Sequence, residues 1–536
     1  MKKEGSPNKS PVFQTFTIFL LVFQVNNLFA EMSSEFISKL NANKARFMKR
    51  HLPIIVMSTD DGYAEPTTVS IVSVKCSTSD KKSIIVLYNE LSDENIKKLE
   101  GLSDKNTTII TQKIDEDILK KAEEFSTNWN ILVQERIFYP EIFSKLNKNK
   151  KFLNKVGVNK IRYFVHLDSD TFVLRNLFDI LGYIPENREV RYKSSDGAIR
   201  DIVETPCFAS VPHVVFRQRL EKGMQWGGIT GGVVVWDLDE IERTRINMVL
   251  TAKKIKARKL LYNNEHIFKI YNILIYSDKK EELVAKIKRI AEESKNLDDV
   301  IKTEVARSSN IESRDIKVFF ENLSKIKKSF EDAEKLGEVT FQEFWGHLYN
   351  VATGTKTRKR IDFNLRRSSN RKKLNPNPTE EMVMKRFPQV FVSPRFNFCM
   401  RNIFPEIRVS SVSSLNKKNY LFILQRHLLQ IPGIEDELID NFKNMVVMHF
   451  DVSLKPWNLE FKELAKTNPS LQKIIDIYEI FKGGISDPDS TEDRSKKALE
   501  LLEKIDPKTE LQKVRNAIDG TLSSLKSKKF WEFWKK

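Results

Sequence analysis

The stretch VHLDSDTFVLRNL, residues 165–177, sets two aspartates, Asp168 and Asp170, between two apolar runs. Both flanks read as strand, so the acids sit where a sheet would otherwise continue. In an extended segment residues i and i+2 point the same way, so the two carboxylates face one place. Two such groups can hold one hard cation, and that cation can in turn hold a diphosphate. A solvated acidic turn is the plainer alternative that the residues alone leave open. The same spacing recurs at 115–117, 237–239 and 487–489. The first of these opens a helix, where acids favour the dipole. The second precedes a helix and reads as a cap. The third, Asp-Pro-Asp, is loop-like. Only Asp168 and Asp170 have strand on both sides.

Working outward, apolar strand-like runs occur at 53–58 (PIIVMS), 83–89 (SIIVLYN), 106–111 (NTTIIT), 160–167 (KIRYFVHL) and 231–236 (GGVVVW). Amphipathic segments lie between them, such as SDENIKKLEGL at 92–102, which opens with Ser and acids as helices prefer. Apolar strands alternating with helices predict an α/β fold with a mostly parallel sheet covered on both faces. Ligands of such sheets bind beyond the carboxyl ends of the strands, which is where Asp168 and Asp170 fall. From residue 277 to 385 the strand signal stops, and the segment reads as a helical, basic insertion. Strand character returns at 389–398 (QVFVSPRFNF) and 444–450 (NMVVMHF), and residues 459–536 read as helical and polar.

The later strand ends in VVMHFDVSLKPWN, residues 446–458, with His449 at its tip and Lys455 six residues on. A lone histidine is more often a satisfied core or surface residue than a ligand. An imidazole added to two carboxylates nevertheless suits Mn²⁺ better than Mg²⁺. A lysine at this distance can bring an ammonium to the same diphosphate.

Four stretches together resemble glycosyltransferase family 8, which includes glycogenin and bacterial lipopolysaccharide galactosyl- and glucosyltransferases. IIVMSTDDGYAEPTTVSIVSV (54–74) is similar to the family's opening strand, nucleotide-binding turn and first helix. FVHLDSDTFVLRNL (164–177) resembles its metal motif, and GGITGGVVVWDL (227–238) its Asn-(Ser/Ala)-Gly-Val segment. HFDVSLKPW (449–457) resembles its His-to-Lys-Pro-Trp motif. The resemblance covers about residues 50–276 and 386–458.

It implies an A-type nucleotide-sugar transferase fold (GT-A), a Rossmann-like mixed sheet, and a metal-dependent retaining transfer of a hexose from UDP-glucose or UDP-galactose. Asp168, Asp170 and His449 would bind Mn²⁺, with Mg²⁺ the alternative. Ser58, Asp60 and Tyr63 would line the nucleoside pocket. Arg136, in VQERIFYPEIF, matches an arginine helix near the donor, and Ser169 lies between the metal aspartates. Lys455 would contact the diphosphate, and Thr230 and Gly231 would border the donor sugar. Glu265, in YNNEHIFKIYN, is the candidate nucleophile or cation stabiliser, since a glutamate can play either part. The chain departs from the pattern at Val452 (glycine in the family), Thr230 (Asn or Asp) and Asn264 (Asp). These departures keep open a catalytically silent relative that only binds a nucleotide sugar.

The chain has 536 residues, 40% of them hydrophobic, which is enough for a large core, and a formal charge of +18 that favours polyanionic neighbours. The run 356–373 carries nine basic residues but one aromatic, Phe363. That leaves little material for base stacking and argues against nucleic acid, while a lipid-binding role stays open. Cys76, Cys207 and Cys399 are too few and too widely spaced for a disulfide framework or a zinc site. At the N-terminus, Lys2, Lys3 and Lys9 precede the apolar stretch 12–25, which fits a signal peptide cut after Ala30 or a signal anchor. An exported or membrane-associated protein is expected from that segment, with the cytoplasmic face of a membrane as alternative. The C-terminal LKSKKFWEFWKK (525–536) gathers Phe530, Trp531, Phe533 and Trp534 among lysines. Such a segment suits an anionic membrane surface or the protein's own core. A glycan, glycolipid or protein acceptor is expected.

Overall fold

The computed structural model describes residues 34–123, 135–184, 188–193, 199–204, 207–212, 229–243, 248–249, 389–408, 429, 433–451, 454–487 and 491–527. They fall into two units, the first from 1–116, 140–244 and 387–536, the second from 117–139 and 245–386.

The strands of the first unit are β1 (Ile54–Thr59), β2 (Lys82–Tyr88), β3 (Thr107–Lys113), β4 (Tyr163–Leu167), β5 (Thr171–Val173), β6 (Arg188–Lys193) and β7 (Ile199–Glu204). They continue with β8 (Phe208–Pro212), β9 (Ile229–Asp237), β10 (Gln389–Phe391), β11 (Phe398–Cys399) and β12 (Val447–His449). Seven make one sheet in the order β10-β8-β9-β4-β1-β2-β3. β1 runs parallel to β2 and β4, β2 to β3, and β8 to β10. β9 runs antiparallel to both of its neighbours, β4 and β8. The sheet is therefore parallel-rich and mixed. Its central strands read as unbroken apolar runs because both faces are covered. Ile54 to Met57 of β1 and Ile84 to Leu87 of β2 are all buried.

β1 leads into a capped turn. Asp60 Oδ1 accepts from the Tyr63 backbone N–H at 2.9 Å and closes a short 3-10 turn, Asp61–Tyr63. The helix Ala64–Ser77 follows directly. This helix is buried nearly all round, small polar residues such as Thr67, Thr68, Ser70 and Ser73 included, beside Val69, Ile71, Val72 and Val74. It needs cover on two sides. β1 and β5 supply one; the helices Pro469–Gly483 and Thr491–Glu503 supply the other. The described part of the C-terminal region forms the helices Leu459–Ala465, Pro469–Gly483, Thr491–Glu503 and Pro507–Ser527. It is not merely polar, since Phe461, Leu471, Ile474, Phe481, Leu502 and Leu511 join the same core as the sheet.

Local signals explain the other elements. Ser92 accepts from the Asn95 N–H at 3.4 Å and caps the helix Asp93–Glu100. Asn149 caps Lys150–Val156, and Gly157 ends it at φ +84°, a left-handed conformation that glycine adopts without strain. Of the pair 237–239, Asp237 is the cap: its Oδ1 accepts from the Glu240 N–H at 3.2 Å, while Asp239 lies in the helix and pairs with Lys160 at 2.7 Å. The strand-like run 389–398 is broken, because Pro394 lacks a backbone donor and starts a 3-10 turn, Pro394–Asn397. All three cysteines are buried, and none is in a disulfide.

β12 forms a second, small sheet, parallel to β11 and antiparallel to β5. That register sets His449 opposite Thr171, one residue past Asp170. In the second unit, Ile118 and Ala122 of the helix Glu116–Glu123 are buried, as are Ile137 and Phe138 of the turn Glu135–Phe138. No helix among the described residues is long and apolar enough to cross a membrane. The segments 1–33, 262–272, 277–385 and 528–536, and with them the leader, the insertion, Glu265 and the aromatic tail, lie outside the described residues.

Candidate active site

Asp168 and Asp170 follow the carboxyl end of β4, as expected. Leu167 pairs with Val233 across the antiparallel β9, and the next backbone N–H, of Asp168, donates to Gly232 O at 2.9 Å. Ser169 Oγ donates to Ser58 O at 2.6 Å, tying the turn to the end of β1. Thr171 Oγ1 donates to Asp168 O at 2.6 Å and closes it. On the far side the Phe450 N–H donates to Asp170 O at 3.1 Å, which docks the strand carrying His449.

Three side chains converge as a result. His449 Nε2 lies 3.5 Å from Asp168 Oδ2 and 3.4 Å from Asp170 Oδ1. One ligand atom from each of the three lies within 4.8 Å of the others. Lys455 Nζ, buried, bonds Asp170 Oδ2 and Phe450 O. Burial alone would lower the His449 pKa, but hydrogen bonds to the two carboxylates hold it well above the usual imidazole value. Burial alone would raise Asp170, but the Lys455 ammonium and His449 hold it below the usual carboxylate value. The site thus draws positive charge to one point.

A divalent cation fits this donor set. The two separations from His449, near 3.5 Å, need only a slight contraction to reach the roughly 3 Å edge between ligands about 2.1 Å from a metal, and the two carboxylates lie within 4.8 Å of each other. Two carboxylate oxygens and one imidazole nitrogen are a donor set for a divalent cation. The pocket is also shaped for the ring: a Cβ added at Gly232 would lie 2.5 Å from His449 Nδ1 and 2.9 Å from Nε2.

The other expected residues divide. Tyr63 is 38% exposed, and its ring meets Trp457 edge-on with centroids 6.4 Å apart. Trp457 leans on Tyr478 at 5.7 Å. Asp60 acts locally as the turn cap. Asp61 Oδ1 accepts from the Ser92 N–H and Asn95 Nδ2, both at 2.8 Å, and braces the same turn. Thr230 is buried, and its hydroxyl donates to Val211 O at 3.2 Å on β8. Gly231 precedes Gly232 on β9 and is half-buried. Arg136 is buried in the second unit, in the turn Glu135–Phe138. Sequence reasoning missed Gly232 and His166. The strand alternation that pairs Asp168 with Asp170 also puts His166 on their side.

The family model of glycosyl transferase family 8 matches residues 54–281. Residues 54–281 carry a family 8 glycosyltransferase domain. Its fold is the mixed α/β sheet of the A-type transferases, and the protein is a glycosyltransferase. The match contains Asp168 and Asp170 and ends before His449 and Lys455, which the fold brings back to them. No curated protein matches the chain. Solved structures similar to it include a galactosyltransferase, LgtC, in complex with donor and acceptor sugar analogs. That likeness has 13% identity, 80% of this chain and 95% of that one covered, and a TM-score of 0.36. The glycosyltransferase GlyE of Streptococcus pneumoniae is 11% identical over 81% of this chain and 64% of its own, with a TM-score of 0.30. The bifunctional glycosyltransferase WbbM is 17% identical, with 37% of this chain and 33% of its own covered and a TM-score of 0.26.

Proposed function

We propose that this glycosyltransferase is metal-dependent and retaining, and moves a hexose from a UDP-sugar, glucose or galactose, to a glycan, glycolipid or protein acceptor. The observation that carries the reading is the convergence of Asp168, Asp170 and His449 beside Lys455 at the carboxyl end of β4. These three side chains would hold Mn²⁺ or Mg²⁺. A divalent cation bound there supplies positive charge to the diphosphate as the sugar–oxygen bond breaks. Lys455 adds a second positive charge from a buried ammonium, which is worth more out of water than in it. Tyr63, steadied by its T-shaped contact with Trp457, offers its ring to the nucleoside base. Retention requires the acceptor to arrive on the leaving-group face or a nucleophile to act beneath the ring, and Glu265 is the candidate for steadying positive charge at the sugar carbon.

The leader at 1–30 and the basic, aromatic tail support an exported or membrane-associated enzyme whose tail meets an anionic surface. The test of the central reading is UDP-sugar hydrolysis with Mn²⁺. Asp170→Ala should reduce turnover by about 10²-fold or more, the scale of losing a preorganised charge-stabilising group. Equal turnover by the variant, or full activity in a chelating buffer, would end it.

A further inference from the structure

The two carboxylates bring four oxygens to the site, and the geometry turns two of them toward His449. Lys455 bonds Asp170 Oδ2, and Oδ1 faces His449 Nε2 at 3.4 Å. Asp168 has the matching arrangement from the other side. Its Oδ1 lies 3.1 Å from His166 Nε2, and its Oδ2 faces His449 Nε2 at 3.5 Å. His166 is fully buried on β4, in register with Val56 of β1 and Val234 of β9. An imidazole among valines gives up its hydration, a loss that a hydrogen bond must offset, so its presence there asks for a reason. A carboxylate only accepts, so Nε2 carries the proton and donates to Asp168.

We propose that His166 is a positioning residue: it holds back one oxygen of Asp168, so that a cation would take only the other, Oδ2, which faces His449. The remaining coordination positions then stay open for oxygens of the donor diphosphate. Without this bond the Asp168 carboxylate loses one restraint on its rotation, and its Oδ1 becomes available to fill a position the donor needs. Hydrogen-bond partners of metal ligands typically contribute 10- to 100-fold in affinity. The inference rests on the metal-dependent reading above.

The test measures Mn²⁺ binding to the full chain by the loss of free Mn²⁺ paramagnetic resonance signal, with thermal unfolding in chelator as the check on folding. His166→Phe keeps a ring and removes the donor. His166→Asn keeps polarity, but its amide falls short of Asp168. His166→Gln puts an amide N–H where Nε2 was. Phe and Asn should bind Mn²⁺ about 10- to 100-fold more weakly than the wild type, with Gln restoring most of the loss. If Phe does not fold, the contrast between Asn and Gln carries the same result. Phe or Asn binding within twofold of wild type, or Gln as weak as Asn, overturns the role of His166. Mn²⁺ binding by the wild type that Asp170→Ala leaves intact, or no binding by the wild type, overturns the metal site itself.

Discussion

Gly232→Ala is the smallest change that should disable the site. The added methyl would lie 2.5 Å from His449 Nδ1 and 2.9 Å from Nε2, and closer still to Cε1. Carbon and nitrogen atoms in contact settle at about 3.5 Å or more, so one partner must retreat by roughly 1 Å. The backbone of Gly232 is pinned, since its carbonyl accepts from the Asp168 N–H at 2.9 Å. The ring therefore moves, and His449 leaves Asp168 and Asp170. Overpacking of this kind costs typically 1–3 kcal/mol in stability. A misplacement of about 1 Å at a catalytic group costs about 10²-fold in rate. Mn²⁺ titration followed by Mn²⁺-dependent UDP-sugar turnover reads both quantities. A variant that folds and keeps wild-type Mn²⁺ affinity and turnover would refute the close approach of β9 to β12 and the role of His449.

Tyr63→Ala should weaken UDP binding about tenfold in a calorimetric titration, within the roughly 1–3 kcal/mol that stacking a base on an aromatic ring contributes; an unchanged Kd would remove Tyr63 from the nucleoside pocket. Glu406 is half-buried, and burial, aided by the Glu510 carboxylate, pushes its pKa above the usual range. The native chain thus keeps that proton at pH values where the unfolded chain has lost it, so its stability falls as pH rises from the usual glutamate value to the raised one. Glu406→Gln, which keeps an acceptor for Asn468 Nδ2 at 3.2 Å, should raise the Tm at about pH 7.5 and change little at about pH 4. An equal shift at both values would contradict it. Removing residues 525–536 should reduce sedimentation with anionic vesicles, and the intact chain should bind less as salt rises, with each lysine contributing about 1 kcal/mol. Vesicle binding that ignores the truncation would exclude the tail as the anchor.

The strands β1 to β4 are legible in the sequence because burial on both faces leaves long runs such as Ile54 to Met57 with nothing polar to confuse them. Asp168 and Asp170 are legible because the period of an extended chain is local. His449 is legible only through its motif: no periodicity in residues 446–458 announces that β12 will lie against β5. Gly232 is hidden for the same reason, since a glycine pair within a strand does not say which ring will approach it. His166 is hidden by its apolar neighbours. The strand run at 389–398 is overread, because the pattern of its apolar residues outweighs Pro394, whose missing donor ends the strand. The C-terminal helices are legible as helices. Their share in the core needs the spacing of Leu471, Ile474, Tyr478 and Phe481, which lie at i, i+3, i+7 and i+10.

The register of β12 against β5 has a consequence for how the protein is born. Asp170 and Lys455 bond across 285 residues of chain. At about 5–20 residues per second of synthesis, roughly 15–60 seconds separate the emergence of the two. Through that interval the aspartates stand without His449 or Lys455, and the nascent polypeptide has no complete centre with which to consume donor. Closing so long a loop is also slow, since the entropy of bringing distant segments together is lost before their contacts form. Competence to react is therefore a late event in the life of each molecule, timed by the arrival of a three-residue strand.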